Sequence, residues 1–224
     1  MISEVFLKKF KNVLTKHSVF EIIGHIRPDL DCWSAAASMS YFLKVFGKQV
    51  IFKCSMPSVG FVNRFKFKPA SSKKSPEVCI CVDCASRERL EFPVEANILV
   101  NIDHHKSNTR FGDLNLVVPD ISSTCEILWW LFKKIGRSEL WLTSRMAQFI
   151  CLGILSDTNI LQTSSVNSNT FLALTELAKK VIVFDIVRQL QAKHDFEGFK
   201  KVVKASAKIN NGIVFFLPKS ENFK

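Results

Sequence analysis

Four short segments of this 224-residue chain concentrate side chains that bind cations or move protons. The first holds His25, Asp29 and Asp31, and the second holds Asp83. The third is the consecutive Asp103, His104 and His105, and the fourth places Asp157 within Ser156-Asp157-Thr158. Imidazole nitrogens mixed with carboxylate oxygens, without thiolates, suit Mn²⁺ or Mg²⁺, with Zn²⁺, Co²⁺ and Fe²⁺ as competitors. So many ligands point to two ions, and a pair about 3.5–4 Å apart can share a bridging hydroxide and clamp a phosphoryl group from both sides. The chemistry would be metal-assisted hydrolysis of a phosphoester. Each residue also has an ordinary structural use: an Asp at a strand end commonly caps the next helix, and adjacent histidines are often surface residues. Only their joint placement separates the two readings.

The elements that must place these residues follow from period and punctuation. Residues 19–26 are a short apolar run followed by Arg27-Pro28, and residues 33–46 have a helical pattern closed by Gly47. Further apolar runs at 49–54, 78–82, 98–102 and 114–118 are short enough to be strands. Residues 123–135, 143–155, 168–180 and 185–208 read as helices, the first with a Ser-x-x-Glu capping box at Ser123 and Glu126. Runs that are apolar at nearly every position imply an α/β fold: a mostly parallel sheet with helices on both faces, followed by a helical segment. In such a sheet ligands bind beyond the carboxyl ends of the strands. Three strand ends there deliver His25, Asp29 and Asp31; then Asp83; then Asp103, His104 and His105. Seven such groups at one edge repel one another, or are costly to desolvate, unless cations neutralise them. Pro28 bars helix locally, so Asp29 and Asp31 are expected in an extended loop. Asp157 closes a helical pattern, where an acid is an unusual cap.

Composition narrows the function classes. With 47% hydrophobic and 23% charged residues the chain is an ordinary globular protein, and no apolar run approaches the ~20 residues needed to span a bilayer. The N-terminal stretch carries Lys and lacks an export signal's apolar core, so a cytoplasmic location is expected. Seven cysteines, an odd number lying mostly in apolar runs, agree with a reducing compartment; Cys79, Cys81 and Cys84 read as buried small hydrophobes. A net charge of +11 favours anionic partners. Residues 55–76 form the loose stretch. Their alternation Arg64-Phe65-Lys66-Phe67-Lys68 reads as an edge strand with its lysines in solvent, or alternatively as a basic, aromatic nucleic-acid surface.

The four segments, in this order, resemble the DHH phosphoesterases. That family's His-x-x-Pro-Asp-x-Asp motif corresponds to residues 25–31, its strand-closing Asp to Asp83, its namesake triplet to Asp103-His104-His105 and its helix-end Asp to Asp157. The resemblance implies one Mn²⁺ held by His25, Asp29 and Asp83, and a second held by Asp31, Asp83, His104 and Asp157, with Asp83 bridging; Mg²⁺ or Co²⁺ are alternatives. It implies that His105 faces substrate phosphate, that Asp103 orients the histidine pair, and that Arg110 and Ser123 bind substrate. The segment 118–128 is similar to that of the nanoRNA and phosphoadenosine-phosphate hydrolases, implying short oligonucleotides or nucleotide bisphosphates as substrates. Leu30 stands where many members have Gly, which implies a narrower approach to the first motif.

The resemblance also implies a catalytic domain over residues 1–185, with 186–224 a helical linker and the start of a C-terminal domain that is largely missing, including its Gly-Gly-Gly-His motif. A lone strand at 213–217 is expected to add to the sheet edge, to pair with a second copy in a homodimer, or to stay disordered. Lys200, Lys201, Lys204 and Lys208 read as a solvated helical face. Two other functions stay open on the residues alone: pyrophosphate or polyphosphate hydrolysis by the same centre, and a metal-binding interaction module with little turnover.

Overall fold

In the computed structural model the described residues are 2–57, 65, 67–68, 71–136, 142–191, 207–210 and 213–216. Helix α1 (Glu4–Lys16) starts at Ser3, whose hydroxyl accepts from the Phe6 amide, and leads into β1 (Val19–Ile23). Then follow α2 (Leu30–Val45), β2 (Gln49–Lys53), β3 (Val78–Val82), β4 (Ile98–Asp103), β5 (Leu114–Val117), α3 (Thr124–Ile135), α4 (Ser144–Asp157), α5 (Ser168–Leu177) and α6 (Val183–Gln191). The five strands form one sheet in the order β2-β1-β3-β4-β5, and every neighbouring pair is parallel. The winding direction changes between β1 and β3, which is where a parallel sheet opens a crevice at its carboxyl edge. His25 and Asp83 lie just beyond the ends of these two strands.

Strand periodicity divides the interior. Phe20, Ile22, Val78, Ile80, Val82, Val100 and Ile102 join one large core with the apolar sides of α1, α2, α3 and α4, and α6 adds Ile186 and Leu190. The alternate residues Ile23, Cys79, Cys81 and Leu99 form a smaller core with Cys84 on the other side of the sheet. It is closed by Phe111, Val94, Ala96 and by Leu90, which follows the 3₁₀ turn Arg87–Arg89. Glu21 on this side is fully buried. It accepts from the Glu95 and Ala96 amides and pairs with Lys53 at 2.9 Å, so the covering segment is tied to the sheet by charge-assisted bonds. With both sides covered, every residue of β1 and β3 is buried, which is why these strands carry no polar alternation. All seven cysteines are buried and unpaired, and the cysteines of β3 are packing residues, as expected. Among the described residues no helix is long and apolar enough to cross a membrane.

Four local expectations are corrected. Helix α2 begins at Leu30, so Asp31 lies in its first turn instead of an extended loop. Pro28 restricts itself and Arg27, but Asp29 behind it is free to cap, and its Oδ1 accepts from the Cys32 amide at 2.9 Å. Leu30 does not narrow the site: it is 3% exposed and belongs to the large core. Phe65 is buried and Phe67 is half-buried against Trp33, Tyr41, Phe52 and Phe149, so these rings offer no open stacking surface and no edge strand includes them; Arg64 and Lys66 lie outside the described residues. Of the helix read over 185–208, α6 holds residues 185–191, residues 192–206 lie outside the described residues, and 207–208 belong to β6 (Ala207–Asn210), which pairs antiparallel with β7 (Ile213–Phe216), so that strand is not alone. Lys208 therefore sits in a strand, and Lys200, Lys201 and Lys204 lie outside the described residues.

Helices α2 and α4 pack on each other more extensively than any other pair of elements. Phe149 of α4 is the hub of their contact, edge-on to Trp33 at 5.3 Å and stacked on Tyr41 at 5.9 Å. Phe149→Ala is expected to lower the unfolding free energy by about 3–5 kcal/mol in denaturant titration, because it opens a cavity among rings that cannot close over it. A loss below about 1 kcal/mol would mean that the cluster collapses to fill the space.

Candidate metal centre

His25, Asp83 and His104 are delivered just beyond strand ends at the carboxyl edge, and Asp31 and Asp157 by helices that reach the same edge. Beyond β1, His25 is buried, and its Nδ1 lies 2.8 Å from the Ile26 carbonyl. In the neutral ring a proton on Nδ1 would make that bond and leave the Nε2 lone pair facing inward, the tautomer a metal-binding histidine needs. Nε2 stands 3.8 Å from Asp29 Oδ2 and 3.6 Å from Asp83 Oδ2. Asp29 thus divides its oxygens, one capping α2 and one facing the histidine. Beyond β3, Asp83 adopts φ 56°, a left-handed conformation that Asp tolerates better than most residues, and its amide donates to the Ile102 carbonyl. Beyond β4, His104 Nε2 lies 3.6 Å from Asp83 Oδ1 and 3.5 Å from Asp157 Oδ2 at the last residue of α4. Asp31 comes from α2, at 1% exposure.

These separations lie in the range of a donor shell. Atoms bound to one cation at about 2.1 Å and 90–120° apart stand about 3.0–3.7 Å from one another. Three sets of donor atoms each lie within 4.8 Å of one another: His25, Cys32 and Asp83; Asp83, His104 and His105; and Asp31, His104 and Asp157. The third matches the second ion's expected ligands, with Asp83 adjoining it through His104. The first contains His25 and Asp83 of the other expected set. Its sulfur, on Cys32, is fully buried and accepts from the His25 amide at 3.3 Å. Among the described residues no Lys or Arg pairs with Asp29, Asp31, Asp83, Asp103 or Asp157; the ion-pair partners of Asp29, Asp83, Asp103 and Asp157 are histidines, and Asp31 accepts from two backbone amides. The donor set fits divalent ions of the Mn²⁺ and Mg²⁺ type.

Protonation follows the same crowding. Burial pushes the Asp31 carboxyl up, and Asp83, Asp157 and Asp29 push it further. Asp157 is raised to about 6 by burial and its carboxylate neighbours, with His104 opposing. Burial also raises Asp83, but His25, His104, His105 and Thr124 outweigh it and hold its carboxyl below the usual range. His25 shows the reciprocal balance: burial lowers its imidazole, while Asp83 and Cys32 reverse this and push it to about 11. With a cation in place these carboxylates would discharge onto the metal instead of onto one another.

Asp103 contacts one member of the histidine pair, His105. It is fully buried, and its Oδ1 lies 2.7 Å from His105 Nδ1, a pairing that raises the His105 imidazole. Its other oxygen accepts from Asn108 Nδ2 at 2.6 Å, and the same amide donates to the Cys84 carbonyl and to Asn101. Asn108 therefore clamps the loop after β4 to the end of β3. Arg110 is exposed in that loop at φ 53°. Ser123 is fully buried, and its hydroxyl caps α3 by accepting from the Glu126 amide. The capping box is half made: the Glu126 carboxylate accepts from Ser122 and from Thr170 of α5 instead of reaching back to Ser123.

Three contributors were not read from the sequence. Thr124 donates its hydroxyl to Asp83 Oδ1 at 2.8 Å and its amide to Asp31 Oδ2 at 2.7 Å. Its position just after a cap was the available signal. Asn108 had no sequence signal, since loop asparagines are common. Gly153 lies within α4, where glycine costs about 1 kcal/mol against alanine, a usual sign of close packing. A Cβ there would stand 2.6 Å from Asp31 Oδ1 and 2.2 Å from Cys125 Sγ.

Fold and site together define an α/β protein with a donor cluster of metal-binding type at the carboxyl edge of a parallel sheet. The chain belongs to the DHH family, whose N-terminal-domain model matches residues 20–154. It is 25% identical, over 98% of its length, to the uncharacterized MG371 homolog of Mycoplasma pneumoniae, of which it covers 70%. It is 31% identical, over 61% of its length, to the bifunctional oligoribonuclease and PAP phosphatase NrnA of Thermus thermophilus, of which it covers 42%. In fold it is similar to an exopolyphosphatase-related protein from Bacteroides fragilis, with a TM-score of 0.77 at 18% identity, covering 94% of this chain and 67% of that one.

Gly153→Ala tests how tightly Asp31 is held. Helix propensity favours alanine by about 1 kcal/mol, but the new methyl would displace the Asp31 carboxylate and the Cys125 sulfur. The expected result is a lower melting temperature, with Mn²⁺ affinity reduced about tenfold or more in calorimetric titration. Unchanged Mn²⁺ binding would separate Asp31 from the metal centre.

Proposed function

We propose that this protein is a metal-dependent phosphoesterase that hydrolyses short oligonucleotides or nucleotide (bis)phosphates. The observation that carries this reading is Asp83, a buried carboxylate whose two oxygens address different donors: Oδ2 faces His25 at 3.6 Å and Oδ1 faces His104 at 3.6 Å. That disposition supports a carboxylate shared by two cations. His25, Asp29 and Asp83 would hold one Mn²⁺, and Asp31, Asp83, His104 and Asp157 the other, with Mg²⁺ or Co²⁺ as alternatives. Bound there, the ions would generate a hydroxide nucleophile and neutralise charge on the phosphoryl oxygens.

The chain's own residues bind and orient. His105, with 37% of its side chain exposed and Nδ1 tied to Asp103, presents Nε2 to a substrate phosphate. Arg110, in the loop that Asn108 anchors, adds a guanidinium to the same anion. Ser123 contributes from beneath, by fixing the start of the helix whose amides grip Asp31. A net charge of +11 attracts polyanions, and seven buried free thiols favour a reducing compartment. The named activity of the Thermus relative supports nucleotide substrates, on the part of it that the chain covers.

The test is hydrolysis in Mn²⁺ of a short RNA, phosphoadenosine phosphate, a linear dinucleotide and pyrophosphate. Turnover of the first three and little of the last is expected; pyrophosphate alone would overturn the substrate class, and no turnover would leave a binding module. Asp83→Ala should cost more than Asp29→Ala, by over about 100-fold in kcat/KM, because it serves both ions. Near-normal activity of Asp83→Ala, with Asp29→Ala inactive, would refute the bridge.

A further inference from the structure

Asp83 can address two ions only if its carboxylate is held in one rotation, and the last torsion of an aspartate is broad and roughly two-fold. Oδ2 faces His25, so Oδ1 must be kept toward His104 and Asp157. On Oδ1 the structure places one hydroxyl, Thr124 Oγ1, at 2.8 Å. Thr124 is fully buried at the first position of α3, and no bulk water competes for its proton. Its own amide donates to Asp31 Oδ2 at 2.7 Å, and the Cys125 amide donates to Asp31 Oδ1 at 3.1 Å. Two carboxylates from different elements are therefore held by one turn of chain, one through a side chain and one through backbone.

That turn is itself fixed. Ser123 caps it, and the carboxylate of Glu126, also in the first turn, accepts from Ser122 on one side and from Thr170 of α5 on the other. We infer that Thr124 is a positioning residue whose hydroxyl sets the bridging orientation of Asp83, while its amide holds Asp31. The inference rests on the two-ion reading of the site. Because the Asp31 contact is a backbone one, side-chain substitution isolates the Asp83 contact.

Thr124→Val keeps the shape and removes the donor; Thr124→Ser keeps the donor. Each is compared with the wild-type chain by calorimetric Mn²⁺ titration and by electron paramagnetic resonance at two equivalents of Mn²⁺. A pair of Mn²⁺ ions bridged by one carboxylate gives an exchange-coupled spectrum, and separated ions give the six-line signal. The expected result is coupling in wild type and in Thr124→Ser. In Thr124→Val coupling should be lost, or one Mn²⁺ site weakened by about tenfold or more. A Thr124→Val protein with wild-type affinities and an unchanged coupled spectrum overturns the inference. Thr124→Ala, a good helix former, is carried in parallel; if Thr124→Val does not melt cooperatively, the Ala variant decides by the same two readouts. Wild-type protein that binds fewer than two Mn²⁺ ions, or binds two without coupling, overturns the two-ion reading and this inference with it, a result distinguishable from failure in Thr124→Val alone.

Discussion

Asp31 and Asp83 are carboxylates with almost no access to water, and removing such charges from water costs several kcal/mol each unless donors or cations take the solvent's place. Much of the molecule is arranged around that cost. The sheet brings Asp83 beyond β3 at the point where the winding reverses. Helix α2 carries Asp31 into the same crevice, and the start of α3 meets both with two amides and a hydroxyl. These bonds offset only part of the penalty. The remaining carboxylates and imidazoles stand at distances suited to cations, which ties the stability of the edge to what binds there.

The surrounding fold keeps this arrangement stiff. The core between the sheet and α1 to α4 includes the ring cluster of Trp33, Tyr41, Phe67 and Phe149, which joins α2 to α4 and so fixes Asp31 relative to Asp157. Gly153 lets these helices approach until the carboxylate lies against backbone. On the other side of the sheet the covering is lighter, made of irregular chain pinned by Glu21, Lys53 and Asn108. That is the side on which Arg110 and the loop after β4 meet solvent. The helical side thus carries Asp31 and Asp157, and the loop after β4 carries His104 together with His105 and Arg110, the residues proposed to meet substrate.

The family match takes in both sides of the sheet. The family match covers residues 20–154, which run from the first strand of the sheet nearly to the end of α4. All donors but Asp157 fall inside it, and Asp157 lies three residues beyond, at the end of the same helix. The hairpin of β6 and β7 lies outside that span and shares no strand pairing with the main sheet among the described residues.

The sequence by itself marked the five strands of the main sheet, the parallel α/β class and the candidate donors. Continuous apolar runs admit few other arrangements, and an acid or imidazole at the end of such a run has few structural reasons to be there. It also marked the start of α3 at Ser123. Only the tertiary structure decided which groups meet. Thr124 and Gly153 act across gaps of 41 and more residues, on carboxylates belonging to other elements, and such contacts leave no local periodicity. Asp31 proved helical because a cap one residue past Pro28 outweighed the proline's local restriction. Glu126 left its capping partner because Thr170, brought over by α5, offered a buried carboxylate a hydroxyl that water could not replace. Local rules assign each residue its preference, and the choice between two satisfied preferences falls to whichever partner the packed chain delivers.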